Sequence, residues 1–289
     1  MQIVTYLAIG STLLLGACST ASDAASSSRS SPATSSSATP QPDPSTPDAS
    51  TRDTPSPAPT AVDIARCGVN AGVKPHPFTL RVAGAKLPAA AIGAGRTVAV
   101  LLHQTDGDGA CGWFPIAGMM ASQHVRVIAF DLCGYGAAEC PTKAPAPAQQ
   151  VRAAVSWARS HGARRVTVVG ASMGGSVALG TAGSVRPDAV VDLSGPMEWD
   201  GVVGSARAAH ALRIPLLAAA SADDPDSDPA ALRKAVLSSP GTHRFVPAPY
   251  GHGIEMLTSY QNSKEVPTTL LHTVIRWIKG DFSSARRAA

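Results

Sequence analysis

From about residue 62 to about residue 281 the chain alternates short apolar runs with stretches of helical length. The runs lie at 97–102, 125–130, 166–169, 189–191, 214–217 and 244–246. Most are continuous rather than alternating. A strand reads that way when both its faces are buried, as in a parallel sheet with helices on either side. The segments between them, at about 113–122, 148–161, 173–185, 229–237 and 266–279, fit crossover helices. Alternating strand and helix predict an α/β architecture with a mostly parallel central sheet and helices on both faces. There is no internal repeat.

The N-terminal end has a different pattern. Residues 3–15 are an apolar run of the length found in signal peptides, too short to span a bilayer comfortably. Leu15-Gly16-Ala17-Cys18 follows and resembles a bacterial lipobox, in which the cysteine receives diacylglycerol and becomes the first mature residue. The stretch before the apolar run departs from that pattern because it lacks Lys and Arg. An ordinary signal peptide with a coincidental cysteine is the alternative. Residues 19–60 are almost all Ser, Thr, Ala, Pro and Asp, with too few large apolar groups to offset ordering entropy. They read as a disordered tether; a glycosylated or wall-spanning stalk has the same composition. The expected organisation is therefore a signal peptide at 1–17, a tether at 18–60 and a folded domain at 61–289. The resemblance implies an exported protein held at the outer face of a bacterial cell membrane through a lipid on Cys18.

Composition narrows the function classes. With 44% hydrophobic and 15% charged residues, the domain has enough apolar side chains for a sizeable core. The net charge of +4 is scattered apart from pairs such as Arg164-Arg165 and Arg286-Arg287, which argues against nucleic-acid binding. Five cysteines less a lipidated Cys18 leave Cys67, Cys111, Cys133 and Cys140. An even number in an oxidising compartment suggests two disulfides, with three possible connectivities. Cys133 and Cys140 are near neighbours flanking a glycine-rich turn, which favours that pair and leaves Cys67 with Cys111. The cysteine spacing matches no zinc site and no H-E-x-x-H occurs; no metal or organic cofactor is implied.

The chemistry centres on Gly170-Ala171-Ser172-Met173-Gly174, a G-x-S-x-G match. The bare pattern is weak, but here an apolar strand precedes it and a helix of small residues follows. That strand–turn–helix order is what a nucleophile elbow requires. A serine in an ordinary βα turn is the bland alternative. A serine hydroxyl needs a base, and Tyr250-Gly251-His252-Gly253 supplies a histidine just after the last strand. His103 also follows a strand and is read as a loop-positioning residue. Ser221-Ala222-Asp223-Asp224-Pro225 follows the strand at 214–220 and offers an acid, giving the chain order Ser, Asp, His.

With that order the folded region resembles the α/β-hydrolase superfamily throughout. The family's G-x-x-D-P loop aligns Asp224 with the acid; Asp223 is the near alternative, and Asp192 a more distant one. The resemblance implies an oxyanion hole made by Met173 N–H and an N–H from the loop at 103–107. That loop is similar to the family's H-G-x-P-G turn, with Gln104 where the family has Gly and Asp106 where it has Pro. Thr105 is then the second donor and Gln104 the alternative. Asp131-Leu132-Cys133-Gly134-Tyr135-Gly136 resembles the family's D-x-x-G-x-G turn and is read as structural. Only about twenty residues separate Ser194 from Ile214, room for one helix near 206–212, so little or no cap should cover the site. Trp113, Met119, Met197, Trp199 and Met256 are lining or core candidates.

The resemblance implies a serine hydrolase cleaving carboxylic esters through an acyl-enzyme, acting on a small ester or acyl substrate. Peptidase, thioesterase or acyltransferase chemistry on the same residues is the nearest alternative, and a non-catalytic ligand-binding lipoprotein a more distant one. The membrane enters only through the anchor, and that is testable in the native host. Cys18→Ala should move the protein from the membrane fraction to the medium. A wild-type protein that mass spectrometry finds soluble and unlipidated would overturn the anchor.

Overall fold

The computed structural model describes residues 67, 74–106 and 108–285. Cys18 and the tether at 18–60 lie outside the described residues. Two adjacent strands open the fold, β1 (Pro75–Val82) and β2 (Ala85–Ile92), followed by β3 (Thr97–Leu102). Helix α1 (Phe114–Ser122) leads to β4 (Arg126–Phe130), and α2 (Pro147–Ser160) to β5 (Arg165–Ala171). Then come α3 (Met173–Val185), β6 (Ala189–Leu193), α4 (Ser205–Ala211), β7 (Leu216–Ser221), α5 (Pro229–Leu237) and β8 (His243–Ala248). A hairpin of β9 (Thr258–Gln261) and β10 (Lys264–Pro267) precedes α6 (Thr269–Lys279).

The main sheet has eight strands in the order β1-β2-β4-β3-β5-β6-β7-β8. All neighbours from β4 onward pair in parallel; β1–β2 and β2–β4 are antiparallel. The continuous apolar runs have a direct cause. In β3, Val98, Val100 and Leu102 face one core layer while Ala99 and Leu101 face the other, and all five are buried. Helices α2, α3, α4 and α5 supply the first layer, α1 and α6 the second. Only α4 lies between β6 and β7, matching the expectation of a minimal cap.

Helix ends follow local chemistry. Asp228 caps α5 by accepting from Ala231 N–H at 2.9 Å, and Thr268 caps α6 through Leu271 N–H at 3.3 Å. The expected helix from residue 266 is corrected here. Val266 belongs to β10, and the helix starts after the Thr268 cap. The reason is visible in the pairing: residues 264–267 are bonded to β9 and are unavailable to a helical turn. Disulfides join Cys67 to Cys111 and Cys133 to Cys140.

One core residue is out of character. Asp192, on the central strand β6, is fully buried. Its Oδ1 accepts from Gly195 N–H at 2.8 Å, but Oδ2 has no hydrogen-bond partner among the described residues. Burial pushes its pKa up from 3.8 to about 7, against the opposing effect of the Gly195 N–H. The unfolded chain gives up this proton near the ordinary carboxyl value, whereas the folded chain keeps it to about 7. Between those values the folded state binds more protons, so stability falls as pH rises from about 4 through about 7. Asp192→Asn keeps the acceptor for Gly195 and cannot ionise. Its urea midpoint should gain on that of the wild type between about pH 5 and about pH 8. An offset that is the same at both pH values would refute the assignment.

Candidate active site

β5 runs directly into the turn that carries Ser172. The serine has φ 51° and ψ −123°, a sparsely populated conformation for an L-residue. Such a conformation costs on the order of 1–3 kcal/mol and persists only where its surroundings enforce it. Here the surroundings are backbone. A Cβ on Gly170 would overlap the Gly174 carbonyl, and a Cβ on Gly174 would overlap Leu102 O and lie 2.7 Å from His103 O. Glycine at both positions lets α3 start hard against β5 and the end of β3. Ser172 N–H donates to Leu193 O at 2.8 Å, and Ser172 O accepts from Gly175 N–H at 2.8 Å. Met173 is the first residue of α3, so its N–H belongs to the positive end of the helix dipole.

His252 follows β8 and stands just before a 3₁₀ turn over Gly253–Leu257. Its Nδ1 is 2.8 Å from Asp224 Oδ1 and 2.9 Å from Oδ2. An ionised carboxylate can only accept, so Nδ1 carries the proton and the neutral ring keeps its lone pair on Nε2. The Asp224 side chain is 0% exposed and that of His252 17%. Burial raises the pKa of Asp224, but hydrogen bonding from Ser194, His252 and Asp226 N–H outweighs it and holds the carboxyl below its ordinary value. Asp223 is exposed, and its N–H reaches only Ser221 Oγ at 3.4 Å. The structure therefore brings Asp224 to His252, leaves Asp223 in solvent and seals Asp192 in the core.

Two candidates are absorbed by the backbone. His103 is fully buried. Its Nε2 accepts from Leu132 N–H at 3.0 Å and its Nδ1–H donates to Gln104 O at 2.6 Å. Asp131 accepts from Ala110 N–H at 2.8 Å through one oxygen and from Ala137 N–H at 2.9 Å through the other. Both residues shape loops, as their sequence context implied.

Gln104 and Thr105 lie on the loop after β3, the first half-buried and the second exposed. Met173 lines a cavity of about 300 Å³ together with Leu132, Tyr135, Val177 and Trp199. Of the other lining candidates, Trp113 and Met256 are buried in the core, while Met119 and Met197 pack against it. Asp224, Asp226 and His252 present ligand-type atoms within 4.8 Å of one another. An ion there would have to displace the proton between His252 and Asp224, so the group is better suited to acid–base work than to holding a metal.

Sequence reasoning missed two contributors. Ser194 has φ 58° at the end of β6; its Oγ donates to Met256 Sδ at 3.7 Å, and it helps to lower the pKa of Asp224. The side chain of Gln104 accepts from Ile254 N–H at 2.7 Å. Neither carries a local sequence signal, because each acts on a residue distant in the chain.

The fold has counterparts in solved structures. An esterase of Pyrococcus furiosus superposes with a TM-score of 0.58 at 14% identity, over 73% of this chain and 90% of its own. A thermophilic esterase of Thermogutta terrifontis gives 0.57 at 15% identity, over 71% and 98%. A monoacylglycerol lipase of Paleococcus ferrophilus gives 0.54 at 14%, over 67% and 98%. At such identities the likeness speaks for the fold alone. No curated protein sequence matches the chain. The sequence pattern of the alpha/beta hydrolase family matches residues 99–288, well over half of the chain, and the protein belongs to that family.

Proposed function

We propose that this protein is a serine hydrolase that cleaves carboxylic esters through an acyl-enzyme. The observation that carries the proposal is the His252–Asp224 pair, delivered by the loops after β8 and β7 to the edge of the sheet where β5 ends in Ser172. Ser172 Oγ attacks the ester carbonyl carbon while His252 Nε2 takes its proton. Asp224 selects the tautomer and stabilises the imidazolium. Met173 N–H and an N–H of the loop at Gln104–Thr105 receive the developing oxyanion. Collapse expels the alcohol, which takes the proton from His252. Water, activated by the same histidine, then releases the acid. The cavity beside Met173 has room for a small acyl or alcohol group.

Export with a lipid on Cys18 completes the proposal. The Cys67–Cys111 and Cys133–Cys140 disulfides support an oxidising compartment.

A fluorophosphonate should label the wild-type protein at Ser172. Ser172→Ala should lose labelling and, by analogy with other triad nucleophiles, about 10⁶ in ester turnover while remaining folded. A folded variant with substantial turnover would place the nucleophile elsewhere.

Asp224→Asn should cost up to about 10⁴ in turnover through loss of the correct histidine tautomer. Asp223→Asn, altering an exposed carboxylate, should stay within a few-fold of wild type. Steady-state kinetics on the two variants, with folding checked by circular dichroism, separates them; equal losses would remove Asp224 from its role.

A further inference from the structure

We infer that the side chain of Gln104 is a positioning residue for His252, locking the histidine loop to the oxyanion loop through Ile254 N–H. The inference rests on the serine-hydrolase reading and adds a residue to it.

The contact joins segments 150 residues apart in sequence. Gln104 Oε1 accepts from Ile254 N–H at 2.7 Å. Ile254 stands two positions after His252, so this bond fixes the backbone from which the imidazole projects. Gly253 lies between them with φ 55°, and a Cβ there would overlap Gln104 Oε1. The amide oxygen thus occupies the space a side chain at 253 would need, and the histidine loop is shaped around it.

Gln104 is itself held. Its carbonyl accepts from His103 Nδ1–H at 2.6 Å, and His103 Nε2 accepts from Leu132 N–H at 3.0 Å. His103 O in turn lies where a Cβ on Gly174 would come within 2.7 Å. Three loops, after β4, β3 and β8, are therefore connected by hydrogen bonds beside the start of α3. The Asp224 contact fixes Nδ1 alone; the aim of Nε2 depends also on where the His252 backbone sits. A misplacement of about 1 Å at a reacting group can cost about 10²-fold in rate. One half-buried amide bond contributes only about 1 kcal/mol to stability. Rate should therefore respond to its loss far more than folding does.

The test uses the full-length protein, p-nitrophenyl acetate as substrate and fluorophosphonate labelling of Ser172 as a second readout. Gln104→Leu keeps the bulk and removes the acceptor; it leaves the backbone N–H of residue 104 in place. Its kcat and labelling rate should fall about ten- to a hundredfold, with KM within about twofold, because an interaction made away from the substrate alters the reacting geometry rather than binding. Gln104→Glu restores an acceptor and should recover most of the loss. Wild-type kcat and labelling in Gln104→Leu, or a Glu variant as impaired as the Leu one, would overturn the inference.

Should Gln104→Leu fold poorly, a double-mutant cycle gives the answer. Gly253→Ala forces the amide away, so its loss of kcat should be smaller in a Gln104→Ala background than in the wild type. Strictly additive losses would overturn the coupling. A wild-type protein that resists labelling altogether would overturn the serine-hydrolase reading and this inference with it.

Discussion

Between residues 170 and 174 the chain approaches its own helix and the end of β3 more closely than any side chain permits, and the site is built on that contact. Gly170 and Gly174 have no Cβ to collide with the Gly174 and Leu102 carbonyls. Their absence of side chains lets β5 turn into α3 with Ser172 as the only residue in between. The serine is then held at φ 51° by structure on both sides. Its strain, on the order of 1–3 kcal/mol, is offset by a helix almost wholly enclosed: Val177, Ala178, Leu179 and Ala182 of α3 are all core residues. Ser172 and the dipole of the helix behind it cannot move independently.

Around this turn, polar side chains divide by what their atoms already do. A group whose polar atoms each hold a backbone partner serves to fix that backbone. His103 spends both ring nitrogens on Leu132 N–H and Gln104 O. Asp131 spends both oxygens on Ala110 and Ala137 N–H. His252 differs because, among the described residues, only Nδ1 is engaged, and by a carboxyl whose hydrogen bonds hold it below its ordinary pKa. Histidine and aspartate therefore serve different ends within neighbouring loops, and what their hydrogen bonds already hold is what separates them.

This division explains how far the sequence could be read. The expected spans of α3 and α5 coincide with those observed; a G-x-S-x-G turn starts one, while the Asp228 cap that starts the other was not singled out in the sequence. The parallel strands were legible because burial on both faces leaves an unbroken apolar run. β1 and β2 were not. β1 is an edge strand with several exposed positions, and β2 is largely alanine, a residue with little strand preference of its own. The β9–β10 hairpin was hidden because its short strands pair only with each other, and Val266 sits next to a genuine helical pattern. At the site, Ser172, Asp224 and His252 have local context; Ser194 and the Gln104 amide do not. Their roles exist only once residues far apart in sequence have been brought together.

Strained backbone and an unpartnered carboxyl oxygen meet at the ends of β5 and β6. Ser172 and Ser194 are both buried non-glycine residues at positive φ, at the ends of the adjacent strands β5 and β6. Asp192 lies two residues before Ser194, and Gly175 and Gly195 make room for it; a Cβ on either would overlap its Oδ1. A carboxyl enclosed with one oxygen unpartnered is costly. Yet its other oxygen holds Gly195 N–H, the residue directly after Ser194. The turn at 192–195 thus couples an unfavourable burial to the backbone conformation that presents Ser194 to Asp224. Replacing Asp192 by an apolar residue would relieve the core and release that turn together. The stability lost at Asp192 and the placement of the acid are consequences of one local geometry, supported by the apolar layers on both faces of the sheet.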